Sequence, residues 1–309
     1  MRLILPIFAA LILTGCDPED FAPGDRYKAD FHYTLKPSDR LSVENFNGEI
    51  EIAGWDDPSI EITGVRYAST QEMLDAIKID IHESPAITEI RTEHPTTFHG
   101  SQGARYLIRA PRKTVLDRIA SSNGAIRIHD MTAAARLHTS NGAIRAENIA
   151  GSVDAETSNG GVDLDSITGR LTVKTSNGRI HAEDLAGPCE AETSNGPVSL
   201  RFKDAPDGPT RIHTSNGSVD VTMPKSPKSG IRAETSNGSI TIELPGSTAA
   251  HLNAQTSQSS ISSDFDVSAT SGDKEKHHLE GNIGSGGPLV ELTTHNGGIH
   301  LRKASAASN

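Results

Sequence analysis

The sequence predicts an all-β fold: a parallel β-solenoid (β-helix-like) with 18- to 21-residue coils and an irregular N-terminal capping region. Three observations predict it. First, Ser-Asn-Gly recurs at a fixed interval, with asparagines at 123, 141, 159, 177, 195, 216 and 237. The first five are 18 residues apart and the later steps are 21; a fixed period of this size marks a stacked-repeat architecture. Second, apolar or small residues alternate with polar ones on both sides of each Asn-Gly, the period of a strand with one buried face. Third, the chain is 35% hydrophobic and only 4% aromatic, too little for a thick globular core but enough for a narrow stacked column.

Each unit carries two strands. The first precedes the Asn: Val153-x-Ala155-x-Thr157, Leu171-x-Val173-x-Thr175, Cys189-x-Ala191-x-Thr193, Ile231-x-Ala233-x-Thr235. The second follows the Gly: Ile144-x-Ala146, Val162-x-Leu164, Ile180-x-Ala182, Val219-x-Val221, Ile240-x-Ile242. The corner residues are Asn123-Gly124, Asn141-Gly142, Asn159-Gly160, Asn177-Gly178, Asn195-Gly196, Asn216-Gly217 and Asn237-Gly238. They are expected there because both residue types tolerate positive φ. A second corner falls at Asn148–Gly151, Ser166–Gly169 and Asp184–Gly187, and the longer units place their extra residues there with Pro206, Pro209, Pro224, Pro227 and Pro245.

Asn-Gly between alternating runs also signals β-hairpins, so an antiparallel meander is the competing fold. A meander leaves one apolar face that another layer must cover, and no helical or second-sheet sequence is present to do it. In a solenoid the two strands of a coil cover each other. The outward columns agree with stacking. Three residues before each Asn stand His138, Glu156, Lys174, Glu192, His213 and Glu234, which sets Lys174 between two carboxylates; opposite charges on neighbouring strands stabilise by ~0.2–1 kcal/mol. Arg145 falls beside Asp163, whereas Arg127 beside Arg145 runs against the pattern.

The chain begins with Met1-Arg2 and the apolar run Leu3–Leu13, short for a membrane span of ~20 residues and suited to an export signal. Leu13-Thr14-Gly15-Cys16 resembles the bacterial lipobox. That resemblance implies a signal peptide at 1–15 and lipid attachment at Cys16; more than one acyl chain gives stable anchoring. Residues 16–40, with Pro18, Pro23, Gly24 and Pro37, read as a tether. Irregular N-terminal coils or a cap occupy 41–113, opening on Leu41–Ile52 with Asn47 in the corner. Strands are expected at Ile60–Tyr67, Ile77–His82, Ile87–Thr92 and Tyr106–Ala110, and a short helix at Gln71–Ile77 capped by Thr70. The repeats fill 114–303. Gln258 continues their series in degraded form, a polar loop covers Asp264–Lys276, and Leu279–Gly287, Val290–Leu292 and Gly298–Leu301 form a last coil. Residues 304–309 are expected to be a flexible tail.

The lipobox, the Asn-x-Asn-Gly-x-Ile coil at 45–50, the serial Ser-Asn-Gly-x-Ile units and the closing Gly281-Asn-Ile-Gly-x-Gly-Gly with Asn296-Gly-Gly-Ile resemble the bacterial β-strand-repeat family known under the label "putative adhesin". The resemblance covers residues 41–303 and implies a lipoprotein with a repetitive interaction surface. It carries no catalytic or binding residues.

The chemistry agrees. A net charge of −11 without a basic cluster argues against nucleic acid as a partner. Thirteen histidines invite a metal site, yet His277-His278 and the pair His94 and His99 lack a known ligand spacing. His138, His181, His213 and His300 fall on outward columns, and the calcium-binding nonapeptide is absent. Glu147, Asp165 and Glu183 form a column with no distinguished member, and no Gly-x-Ser-x-Gly occurs. Neither a catalytic residue, a cofactor nor a metal is therefore expected. Cys189 stands in the inward column as a small buried hydrophobe. An ice-binding Thr array is disfavoured because Thr157, Thr175, Thr193 and Thr235 point inward. The reading is a non-enzymatic, membrane-anchored envelope scaffold or adhesin-like surface, facing the periplasm or the exterior, with an envelope protein or glycan as partner. Its alternative is a carbohydrate-binding or carbohydrate-active β-helix using the N-terminal coils and Trp55. Whether the inner or the outer membrane holds the anchor is left open by the sequence.

Overall fold

The computed structural model describes residues 27–93, 101–269 and 277–304. The expected leader, Cys16, His94 and His99 lie outside the described residues. The N-terminal part contributes β1 (Tyr27–Leu35), β2 (Arg40–Asn45), β3 (Ile50–Trp55), β4 (Ile60–Ala68), α1 (Gln71–Ala76), β5 (Lys78–Glu83), β6 (Ile87–Glu93) and β7 (Gln102–Pro111). The repeat body opens with β8 (Val115–Ser121), β9 (Ile126–Met131), β10 (Ala135–Thr139), β11 (Ile144–Ile149), β12 (Val153–Thr157), β13 (Val162–Ile167) and β14 (Leu171–Thr175). It continues through β15 (Ile180–Leu185), β16 (Cys189–Thr193), β17 (Val198–Phe202), β18 (Thr210–Thr214), β19 (Val219–Thr222), β20 (Ile231–Thr235) and β21 (Ile240–Leu244). Beyond it come β22 (Ala250–Thr256), β23 (Ile261–Ser263), β24 (Val267–Ala269), β25 (His278–Ile283), β26 (Leu289–Thr294) and β27 (Ile299–Lys303).

Two sheets face each other, one of 13 strands and one of 14. Within the body every pairing is parallel and joins successive coils: Val153 lies opposite Ala135 on one side and Leu171 on the other. Body strands consecutive in the chain, such as β12 and β13, belong to different sheets. The chain is therefore a solenoid and not a meander. Its inward columns are buried, with Ala155, Val173, Ala182 and Ala233 all at 0% exposure. Small residues are used because the two sheets of one coil lie close together.

The Asn-Gly corners form for a different reason from the one expected. Of their glycines only Gly48, in the first coil, has positive φ, and none of the asparagines has it. What excludes a side chain is proximity: a Cβ on Gly142 would sit 1.9 Å from the Gly124 carbonyl oxygen of the coil before. Left-handed backbone appears instead at the second corner, on Asp130, Asn148, Ser166 and Asp184. Asn and Asp accept that conformation more readily than other side chains. In the longer coils the inserted residues stack as well, with Lys225 Nζ 2.8 Å from Asp204 and Lys228 Nζ 3.2 Å from Asp207, one coil away.

Three expectations at the ends need correction. Residues 27–35, expected in the tether, form β1, which pairs antiparallel with β4 from Tyr27–Ala68 to Leu35–Ile60; the alternation Tyr27, Ala29, Phe31, Tyr33, Leu35 is that of a strand. Gln258 does not follow Asn237 in space. The coil β26–β27 is inserted between β20–β21 and β22–β23, so Ile231 pairs with Val290, and Val290 with Leu252. Leu279–Gly287 is no part of that coil, since β25 runs antiparallel to β22. The N-terminal end is likewise out of order: β2–β3 lies between β6–β7 and β8–β9. The helix stands as read, with Thr70 accepting from the Met73 N–H and Leu74 buried.

Candidate interaction surfaces

The corner asparagines form a chain of their own. Asn141 Nδ2 donates to Asn123 Oδ1 at 2.8 Å, and Asn159, Asn177, Asn195, Asn216, Asn237 and Asn296 continue the series at 2.6–2.9 Å. Such ladders form when identical side chains are stacked at the strand spacing. Beneath them, the Thr two residues before each Asn from Asn141 onward donates to the Gly carbonyl of the adjoining coil, and Ser121 does so before Asn123. Thr157 reaches Gly142, Thr175 reaches Gly160 and Thr193 reaches Gly178, at 2.9–3.0 Å. These hydroxyls are buried, and the hydrogen bond removes the penalty of burying them. Asn45 stands in the same column in the first coil and donates to Gly48 and Ala104. The corner residues are thus structural, and the Thr column faces inward.

Each sheet presents an outer face built of charge pairs between coils. On the 14-stranded sheet Arg136 lies 3.7 Å from Asp154, His138 3.6 Å from Glu156, Lys174 3.3 Å from Glu192 and His213 3.6 Å from Glu234. The Glu192 carboxylate, hydrogen-bonded to Lys174, holds its ammonium above the usual lysine range. On the 13-stranded sheet Asp163 takes both Arg145 and Arg179, at 3.8 and 2.9 Å. Arg127 is relieved of its neighbour Arg145 by an ion pair with Glu49. Each exposed pair contributes only ~0–1 kcal/mol; the register itself follows from the buried alternation, since a one-residue slip would turn the apolar column outward.

A groove of about 570 Å³ opens where β2, β6 and β8 meet, lined by Glu44, Asn45, Phe46, Arg91, Thr92, Glu93 and Ser122. Glu44 is held there by Arg91 at 3.1 Å and Arg118 at 2.9 Å. The hydroxyl of Tyr106 meets Thr92 at 2.6 Å, and burial pushes its pKa up. No motif announced this groove. Its residues come from segments brought side by side by the out-of-order stacking at that end.

The remaining residues singled out in the sequence are engaged structurally. Trp55 donates from Nε1 to Ser59 O at 2.9 Å and lies 5.9 Å under the Arg109 guanidinium. Cys189 is buried, which pushes its thiol up to about 12, so it is not a nucleophile at neutral pH. His277 meets Ser259 O, His278 meets Glu280, and His300 meets Ser262. Among the described residues no three His, Cys, Asp or Glu side chains gather in a way that could hold a metal ion. No helix among them is long and apolar enough to cross a membrane.

Comparison with known proteins gives one family. The model described as Toastrack (DUF4097) matches residues 34–230 and again 211–302. No curated protein matches the chain. Solved structures similar to it include a "putative lipid binding protein" from Parabacteroides distasonis, 10% identical, spanning 91% of this chain and 98% of its own, with a TM-score of 0.46. A "putative adhesin" from Bacteroides fragilis is 12% identical over 91% of this chain and 99% of its own, with a TM-score of 0.41. A "putative cell adhesion protein" from Clostridium sporogenes is 12% identical over 90% of this chain and 100% of its own, with a TM-score of 0.25.

Proposed function

The chain belongs to the Toastrack family, and on that premise we propose that it is a cell-envelope β-solenoid that presents an adhesin-like interaction surface without enzymatic activity. We further propose that a lipid on Cys16 holds it to a membrane, with the solenoid facing the periplasm or the exterior. The observation that carries the reading is the character of the two outer faces. Polar columns repeat from coil to coil, and their charges answer one another instead of converging on one reacting atom. Such a surface suits an extended partner contacted at many equivalent points, which is how solenoids bind. The lipobox Leu13-Thr14-Gly15-Cys16 supports the anchor.

The partner test is capture from envelope extracts with the purified chain. A partner that saturates, and that is lost when Glu156, Lys174 and Glu192 are replaced together by Ala, is the expected result; recovery of no saturable partner overturns it. For the anchor, labelled palmitate should enter the wild-type chain and not Cys16→Ala. Equal labelling of both would refute lipidation at that residue.

The groove at β2, β6 and β8 favours a second reading, carbohydrate binding. Carboxylate, guanidinium, amide and hydroxyl groups stand beside Phe46, the mixture of planar polar groups and aromatic edge that saccharides require. Retention of envelope glycans on the immobilised chain, abolished by Glu93→Ala together with Ser122→Ala, would favour it over a protein partner. The side chain of Trp55 is a poorer candidate because Ser59 and Arg109 already occupy it.

A further inference from the structure

The asparagine ladder stops at a defined place on each side. Its six inner members, from Asn141 to Asn237, are each held twice. Every one donates from Nδ2 to one neighbour and accepts on Oδ1 from the other, at 2.6–2.9 Å. Asn123 and Asn296 are each held by one such bond. On the N-terminal side Asn47 turns away to the Gln102 carbonyl, which leaves Asn123 Nδ2 only a long 3.4 Å contact with Phe46 O. On the C-terminal side the next coil carries Gln258 in place of an asparagine, two residues past the Thr256–Thr294 pairing. Oδ1 of Asn296 therefore accepts from no described residue, and both end asparagines are exposed.

We propose that Asn123 and Asn296 are sites of spontaneous deamidation, and that the ladder keeps the six asparagines between them as amides. Asn-Gly is prone to this reaction because glycine, lacking a Cβ, leaves the approach to its own nitrogen open. That nitrogen attacks Cγ of the asparagine. The N–Cγ bond forms, the Cγ–Nδ2 bond breaks, and the glycine proton leaves with Nδ2 as ammonia. Water then opens the succinimide to aspartate or isoaspartate. The attack needs Cγ swung against the glycine nitrogen in a near-attack geometry. A side chain tied at both Oδ1 and Nδ2 to fixed neighbours resists that swing. In two inner corners the nucleophile is tied as well, since Gly160 and Gly178 donate their N–H to Thr157 and Thr175 Oγ1 at 3.3 and 3.2 Å. The product also fits the end better than the middle. An aspartate at 123 still accepts from Asn141 Nδ2, and its charge strengthens that bond. At an inner position it would set a carboxylate oxygen against the neighbour's Oδ1, where a donor is needed. Conversion at 123 adds a negative charge next to Ser122, which lines the groove at β2, β6 and β8. The inference rests on the ladder and its glycines, independent of Cys16 lipidation and of the nature of any envelope partner.

The test holds the full-length chain in detergent at mildly alkaline pH and quantifies aspartate and isoaspartate at each Asn-Gly by peptide mass spectrometry. A sample unfolded in denaturant supplies the intrinsic rate of each sequence. In the folded chain residues 123 and 296 should convert faster than the six inner positions by about tenfold or more, and unfolding should remove the difference. Gln258→Asn with Ser259→Gly extends the ladder by one member, since the Gln258 N–H already meets His295 O as the Asn296 N–H meets Ser236 O. That variant should slow Asn296 to the inner rate and leave Asn123 unchanged. Equal rates at all eight positions in the folded chain would overturn the proposal. So would an inner asparagine that converts first, an Asn296 rate indifferent to the extension, or intact amides at 123 and 296 under conditions that convert the unfolded chain.

Discussion

In the repeat body, neighbours in space are neighbours in the series; at the two ends they are not. Each strand from β10 to β19 pairs with the strands one coil earlier and one coil later, as Leu171 does with Val153 and Cys189. At the C-terminal end the chain builds the outer coil β22–β23 and returns to lay β26–β27 inside it, whereas at the N-terminal end it lays the inner coil β2–β3 before the outer β6–β7. The corners differ between interior and end coils. Interior coils carry a complete Asn-Gly: Asn47-Gly48 in β2–β3 and Asn296-Gly297 in β26–β27. The coil β22–β23 has Gln258-Ser259 instead, and the segment linking β6 to β7 contains no Asn-Gly. A Cβ on Gly297 would lie 1.9 Å from the Gly238 carbonyl oxygen of the coil it stacks on.

The largest expected effect strikes the body. Ala155→Asp or Ala191→Asp places a carboxylate at a position exposed by no more than 1%, where an unpaired charge is heavily penalised. The cooperative denaturant transition should be lost. Gly297→Ser sharpens the contrast between body and end. It should expel β26–β27 and expose β22–β25, while hydrogen exchange in β12–β17 stays slow; uniform loss of protection would show that the corner does not govern placement. Thr175→Val keeps shape but leaves the Gly160 carbonyl without its donor, for an expected loss of about 1–3 kcal/mol in chemical denaturation.

Cys189 supplies a pH test of the same interior. Its thiol is pushed up to about 12 from an ordinary 9.0 by burial. The stability this represents is complete below pH 9 and is lost as pH rises toward 12, since the unfolded thiol ionises first. Cys189→Val, matching Val153 two coils earlier in the same column, should flatten the alkaline fall in melting temperature; an unchanged slope would show the thiol is accessible. The smallest effect belongs to the outer face. Glu156→Gln, exposed beside His138 and Lys174, should change stability by no more than ~0.5 kcal/mol.

Much of the candidate surface was legible without coordinates. The charge order Glu156, Lys174, Glu192 along one column is visible once the repeats are aligned on Asn, because stacking turns a period in the chain into a neighbour in space. The groove around Glu44, Arg91 and Ser122 was not. Its members are 47 residues apart between Glu44 and Arg91, and no period connects them. The strand character of Tyr27–Leu35 was masked by prolines and charges on either side, which suggested a tether.

What the sequence determined by itself is the coil: two strands, which residues face in, and where each corner falls. Those are local matters, decided by side-chain alternation and by residues that permit a tight turn or a close approach. What only the tertiary structure decided is the order of coils at the ends, the antiparallel strands that finish them, and the reason glycine stands at the corner. A strand's partner depends on which edge is open when it arrives and on whether carbonyls of another coil leave room for a Cβ. Neither quantity belongs to any one segment of the chain.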